Sequence, residues 1–176
     1  MNIITRQETQ NDYGHTESVV EKAFQQEEHS DHKEQFLVAR LRKSDAFVPE
    51  LSLVAERNHE IVGHLMLTKI QIENGRQTRE SLALAPVSVL PKYQNQGIGT
   101  RLIRESLKLA KEMDFQSVIV LGHANYYPRF GFQPASGWGI KAPFDVPDES
   151  FMALELREGS LDGVSGTVVY SGAFFE

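Results

Sequence analysis

Between residues 87 and 121 the hydrophobic period of the sequence changes twice, and this restricts the fold more than any other feature. A β-rich run ends at Val87-Ser88-Val89. A loop containing Gly97 and Gly99 follows. From Ile98 to Met113, apolar residues recur at Ile98, Leu102, Ile103, Leu107, Ala110 and Met113, the broad stripe of an amphipathic helix. Then comes Ser117-Val118-Ile119-Val120-Leu121, a short unbroken apolar run suited to a strand covered on both faces. Strand, helix and strand in that order make a crossover unit, which joins parallel neighbours.

Upstream residues read as hairpins. Residues 51–56 and 61–72 are β-rich and joined by Arg57-Asn58-His59-Glu60, and a second turn, Glu73-Asn74-Gly75-Arg76, leads into a run ending at residues 82–89. Two hairpins in series form an antiparallel meander. Residues 2–5 suggest an opening strand. Asp12 is placed to cap a helix carrying Tyr13, Val20, Ala23 and Phe24, and Ser30 to cap a second with Phe36, Leu37 and Leu41 turned inward. Further strands are expected at 151–156 and 166–170. With no internal repeat or low-complexity linker, residues 1–176 are expected to form one α/β (α+β) domain around a mixed, mostly antiparallel sheet.

Composition narrows the function. The chain has no cysteine, which removes disulfides, thiolate zinc sites and any acyl-cysteine intermediate. Its net charge is −6 and its 18 lysines and arginines are scattered, so the basic stripe of a nucleic-acid binder is missing. No apolar run reaches bilayer-spanning length, and the opening residues lack the apolar core of a secretory leader. No membrane partner and a cytoplasmic setting are therefore expected.

The stretch Gln94-Asn95-Gln96-Gly97-Ile98-Gly99-Thr100 sits where a strand turns into a helix. Unpaired N–H groups and a partial positive charge at a helix N-terminus favour a phosphate, and glycines let the backbone approach it. A dinucleotide fingerprint needs a glycine where Leu102 stands. A P-loop needs Gly-Lys-Ser/Thr where Gly99-Thr100-Arg101 stands. The pattern Gln94-x-x-Gly97-x-Gly99 instead resembles that of the GNAT family of N-acetyltransferases, and the resemblance runs through nearly the whole chain. In that family this loop grips the pyrophosphate of coenzyme A. Residues Phe47 to Glu56 and Phe151 to Leu156 look like those of a bacterial subgroup of predicted acetyltransferases.

Several roles follow from the resemblance. The sheet is expected to have six or seven strands, helices on both faces and a splayed parallel pair. Pro86, which cannot donate to a ladder, fits a bulge in the central strand where the two parallel strands part. Val87, Ser88 and Val89 would meet pantetheine, with the Val87 N–H as an oxyanion donor. Gln94 to Thr100 and Asn125 would complete the coenzyme A site. Tyr127, four residues before Gly131-Phe132, would contact the cofactor and protonate the departing thiolate, with Tyr126 as its competitor.

No carboxylate lies in residues 82–89, where relatives often place a glutamate base. The open candidates are Glu27, Glu28, His29, Glu50 and His64. His29-x-x-His32 lacks a third ligand, and no metal is expected. Acetyl transfer from acetyl-CoA to a small-molecule or peptide amine is the leading expectation, and a non-catalytic coenzyme A sensor the alternative. The acidic balance leans weakly towards cationic acceptors such as polyamines. The loops at 25–29 and 136–148 are expected to select the acceptor, and Phe174-Phe175 to offer a homodimer contact.

Overall fold

Two tight turns set the frame of the sheet. Asn58 and His59 both adopt left-handed backbone, with φ of 50° and 67°, so β2 (Phe47–Arg57) and β3 (Glu60–Asn74) join through a two-residue loop whose twist matches the strands. Gly75, at φ 57°, opens the turn from β3 into β4 (Gln77–Val89). The computed structural model describes residues 2–175, and these three long strands are its spine.

β1 (Ile3–Gln7) pairs antiparallel with β2. On the other side β5 (Ser117–Leu121) lies parallel to β4, and β8 (Phe151–Glu155) antiparallel to β5. β6 (Gln133–Pro134) closes the order β1-β2-β3-β4-β5-β8-β6. Beyond its pairing with β2, the far half of β3 takes β9 (Gly166–Val169) through Gln71, Ile72 and Glu73, and β7 (Ile140–Lys141) runs parallel to β9. The expected class, the antiparallel meander and the parallel crossover pair all hold. The described residues contain nine strands rather than six or seven, because β6 and β7 are two-residue bridges too short to leave a period in the sequence.

Helices cover both faces. The 15-residue α3 (Ile98–Glu112) buries Ile98, Leu102, Ile103 and Ala110 against Leu53, Leu65, Leu84 and Val120. On the opposite face, α1 (Tyr13–Phe24) and α2 (Glu34–Arg42) set Val20, Val38 and Leu41 against Met66, while Val19 meets Val54 and Ile61. Burying a large aliphatic side chain contributes about 1.5–3 kcal/mol. No helix among the described residues is long and apolar enough to cross a membrane.

Three local expectations need correction. Asp12 does not cap α1 with its side chain: the carboxylate accepts from the Thr9 N–H at 2.8 Å and pairs with Arg6 at 2.7 Å, closing the short turn ahead of the helix. Ser30 does not cap α2 either. It accepts from the His32 N–H, and with His32 left-handed at φ 60° the helix begins only at Glu34. Finally, Phe36 is 55% exposed, and Val38 takes the inward place assigned to it.

Candidate functional site

A slip in register opens the sheet. Leu65 pairs with Val87 but Leu67 with Leu84, so Met66 faces both Ala85 and Pro86 across a β-bulge. Pro86 has no N–H to lose there. Parallel pairing of β4 with β5 is confined to Leu82–Val118 and Ala83–Ile119, and the strands then part. The Leu90 N–H donates to the Val62 carbonyl at 2.9 Å, which fixes the alternation along β4. Ser88 and Leu90 turn their backbone groups towards β3, and Val87 and Val89 turn theirs away from it, into the opening. The Val89 carbonyl accepts from the Gln94 side-chain amide at 3.0 Å, and the Ser88 hydroxyl is buried on the α1 face without a partner.

At the mouth of this opening stands the N-terminus of α3. Its cap residue is Gly97, at φ 85°, and no side chain caps the helix, so the leading N–H groups are free to meet an anion. A Cβ on Gly97 would have no heavy atom within 4 Å, so it is the backbone conformation, rather than crowding by protein, that calls for glycine there. A cleft of about 480 Å³ is lined by Val89, Gln94, Asn95, Gly97, Ile98, Gly99 and Thr100. Those expected residues come together. Val87, Ser88, Gln96, Asn125 and Tyr127 do not line that cleft, whereas Tyr93, Tyr126 and Arg129 do.

The two tyrosines separate clearly. The Tyr126 hydroxyl reaches the first turn of α3, 2.9 Å from Thr100 Oγ1, and the Arg129 guanidinium lies 4.4 Å above its ring. Tyr127 begins a 3₁₀ turn, Tyr127–Phe130, shaped by Pro128 and ended by Gly131 at φ 100°. Its ring packs edge-on against Phe132 and Tyr126 and lies over Gly122 at the end of β5. Burial pushes its phenol up to about 12, so the hydroxyl stays protonated throughout the neutral range. Arg129, far from the cradle in sequence, is brought back to α3 by the turn after β5.

Among the candidate bases, Glu27, Glu28, His29 and Glu50 are exposed, and none lines this cleft. The other, His64, is fully buried on the α1 face. Its Nε2 lies 3.0 Å from Ser52 Oγ, which donates to Glu8 at 2.8 Å, and Glu8 also pairs with Arg42 at 2.8 Å. Burial holds His64 down to about 4. Glu8 is pushed up by burial, but the neighbouring His64 and Arg42 outweigh this and keep it below the usual carboxylate range. Among the described residues, no group of three His, Asp or Glu side chains could hold a metal ion. His32 Nδ1 is 2.9 Å from the Phe24 carbonyl.

A second, apolar pocket of about 270 Å³ opens on the face away from α3, where β4 and β5 part. Ala83, Leu84 and Ala85 come from β4, and Ile119 and Leu121 from β5. Leu37 of α2 and Phe144 of the loop after β7 stand at its sides, with Tyr170, Phe174 and Phe175 beyond β9. The rings of Phe144 and Tyr170 stack at 5.9 Å, and Phe174 meets Tyr170 edge-on at 5.1 Å. Phe174 and Phe175, expected as a dimer contact, thus pack in part against their own chain.

Comparison with known proteins places this geometry. The family model described as "Acetyltransferase (GNAT) family" matches residues 13–132. The uncharacterized N-acetyltransferase YjhQ of Escherichia coli is 42% identical over 118 residues, 66% of this chain and 65% of that protein, so the match spans just under two thirds of that relative. A GNAT acetyltransferase from Brucella melitensis, solved with acetyl-CoA, superposes with a TM-score of 0.81 at 33% identity over 98% of both chains. The YhbS structure of Escherichia coli, solved with CoA, covers 100% of this chain and 93% of its own with a TM-score of 0.89, and at 24% identity it supports the fold alone.

Proposed function

Because the chain belongs to the acetyltransferase (GNAT) family, we propose that it moves the acetyl group of acetyl-CoA onto a primary amine of a small molecule or peptide, by direct attack in a ternary complex. The observation that carries this is the uncapped N-terminus of α3 beside a parting of β4 from β5, into which Val87 and Val89 turn their backbone groups. Phosphates fit the free N–H groups of Ile98, Gly99 and Thr100, and an amide-bearing arm fits the vacant backbone groups of β4.

Acetyl-CoA would supply an activated acyl group on a thiol leaving group. The rest of the chemistry falls to this chain. The Val87 N–H is the donor for negative charge developing on the carbonyl oxygen, a role in which one donor is worth roughly 10²–10³ in rate. The Tyr127 hydroxyl supplies the proton that the departing sulfur takes. Holding both reactants in one complex removes much of the entropic barrier, and the absence of cysteine agrees with direct transfer. Calorimetry with acetyl-CoA, followed by thiol release in the presence of amines, tests this. Failure to bind acetyl-CoA would end the proposal, and binding without turnover towards any amine would leave a coenzyme A sensor.

A further inference from the structure

The apolar pocket lies on the face of the sheet opposite the phosphate cradle. Along β4, Leu82 and Leu84 face the α3 core, while Ala83 joins the core on the opposite side with Ile119 and Ala153. Ala83 and Ala85 therefore share the face away from α3, as Ile119 and Leu121 do on β5. The phosphate cradle is at the N-terminus of α3, so a ligand arm threading between the strands from that side ends at the floor of this pocket. Ala83 and Ala85 keep that floor shallow on either side of Leu84.

The lining contains no charged side chain, and its hydroxyl, on Tyr170, is held neutral because burial pushes it up to about 12. A polyamine, an aminoglycoside or a lysine-rich tail would bring ammonium groups into it with no carboxylate to receive them. The volume, about 270 Å³, falls just below the usual range for drug-sized ligands and so suits a small guest. Flat ring faces and edges from Phe144, Tyr170 and Phe174 favour an aromatic guest.

Resting on the acetyl-transfer reading above, we infer that the acceptor is a compact primary amine carried on an aromatic group, its ring held by Phe144 and Tyr170 and its nitrogen at the Ala85 side of the pocket. This also bears on the lack of a carboxylate in residues 82–89. An apolar pocket disfavours the ammonium form, so the amine gives its proton to water on entry and arrives ready to attack. The N–C bond then forms as the C–S bond breaks, the sulfur takes its proton from Tyr127 and leaves as a thiol, the nitrogen's second proton passes to solvent, and Tyr127 recovers one from solvent.

The test uses the purified full chain with acetyl-CoA and a panel of benzylamine, phenethylamine, spermidine, kanamycin and a lysine-containing peptide, following thiol release and product mass. The aromatic amines should have kcat/KM at least about tenfold above the others, the discrimination a hydrophobic pocket commonly provides. Phe144→Ala should raise KM for phenethylamine about tenfold while kcat and acetyl-CoA affinity hold. A chain that binds acetyl-CoA but prefers spermidine, kanamycin or the peptide, or acetylates no aromatic amine, overturns this inference and leaves coenzyme A binding intact. A clear preference for hexanoyl-CoA over acetyl-CoA, with no aromatic turnover, would give the pocket to an acyl chain and overturn it too. Failure to bind acetyl-CoA would remove both proposals together.

Discussion

The ring of Tyr127 lies against Gly122 so closely that a Cβ at residue 122 would fall 2.9 Å from its Cδ2 and nearer still to Cε2. Real Cβ atoms essentially never come so close, so even alanine there must move the phenol. Gly122→Ala should therefore lower kcat, while the loop at residues 94–100, which comes from a different segment, keeps its shape. Equal kcat for Gly122→Ala and the parent, with coenzyme A affinity matched, would show that the position of Tyr127 does not matter to turnover.

The two tyrosines should fail in different ways. Tyr127→Phe is expected to reduce kcat by roughly 10²–10⁴ and leave the acetyl-CoA Kd nearly unchanged. Tyr126→Phe removes a hydroxyl bonded to Thr100 at the cradle. It should weaken coenzyme A binding roughly two- to tenfold, the worth of one hydrogen bond, with little change in kcat. Because the Tyr127 phenol is pushed up to about 12, kcat should show no falling limb from it between pH 7 and 10. Reversed phenotypes would transfer the acid role to Tyr126.

At the cradle, Gly97→Val should cost well over tenfold in coenzyme A affinity. A β-branched residue at φ 85° strains the cap of α3, and its side chain enters the ligand's space. Calorimetry on a variant with unchanged melting behaviour is the check, and an unaltered Kd would dismiss the cradle.

Arg129 lines the cleft, whereas Lys92, Arg101 and Arg104, which flank the cradle in sequence, do not. Arg129→Ala should weaken coenzyme A about tenfold, as loss of a charge-assisted bond would, against fivefold or less for Lys92→Ala. Equal effects from the two substitutions would remove the distinction.

His64 makes stability depend on pH. Its folded value of about 4 lies below the ordinary histidine value, so below pH 6.5 the unfolded chain takes up a proton that the folded chain refuses. Stability is complete above that range and falls as pH drops towards 4. Glu8, held below its ordinary range, acts in the same direction at still lower pH. Between pH 7 and 4.5 the histidine alone should account for about 2 kcal/mol of lost unfolding free energy. Urea titrations at the two values check this, and His64→Gln should flatten the difference by most of that amount.

Much of the fold was legible because local period and turn chemistry agreed with the final packing. The Asn58-His59 and Gly75-Arg76 turns, the stripe of α3 and the apolar run of β5 each specify one element without help from the rest. Pro86 marked the bulge for a similar reason, since it has no N–H to give to a ladder. The misreadings at Asp12 and Ser30 came from side chains engaged elsewhere: Arg6 claims the first, and the His32 N–H together with Glu34 claims the second. In the site, the glycine cradle was visible as a spacing. The place of Tyr126 against Thr100 was not, since nothing local to either residue announces a contact across 26 positions. The aromatic pocket drew on residues from α2 to the end of the chain and left no period at all.

Gly166 crosses β3 so closely that any side chain there would strike the Glu73 carbonyl, and this crossing fixes where the strand before Tyr170 runs. Everything that walls the aromatic pocket on that side lies after residue 132, where the family match ends, and the cradle and both tyrosines lie before it. The chain is thus divided at a seam. One part carries the proposed donor site, and the other is stitched into the sheet, β9 to Gln71, Ile72 and Glu73 of β3 and β8 to β5. Exchanging only the pocket-lining segments around Phe144 and Tyr170 between relatives, with β8 and Gly166 kept, is a route to new acceptors that leaves the cradle unaltered.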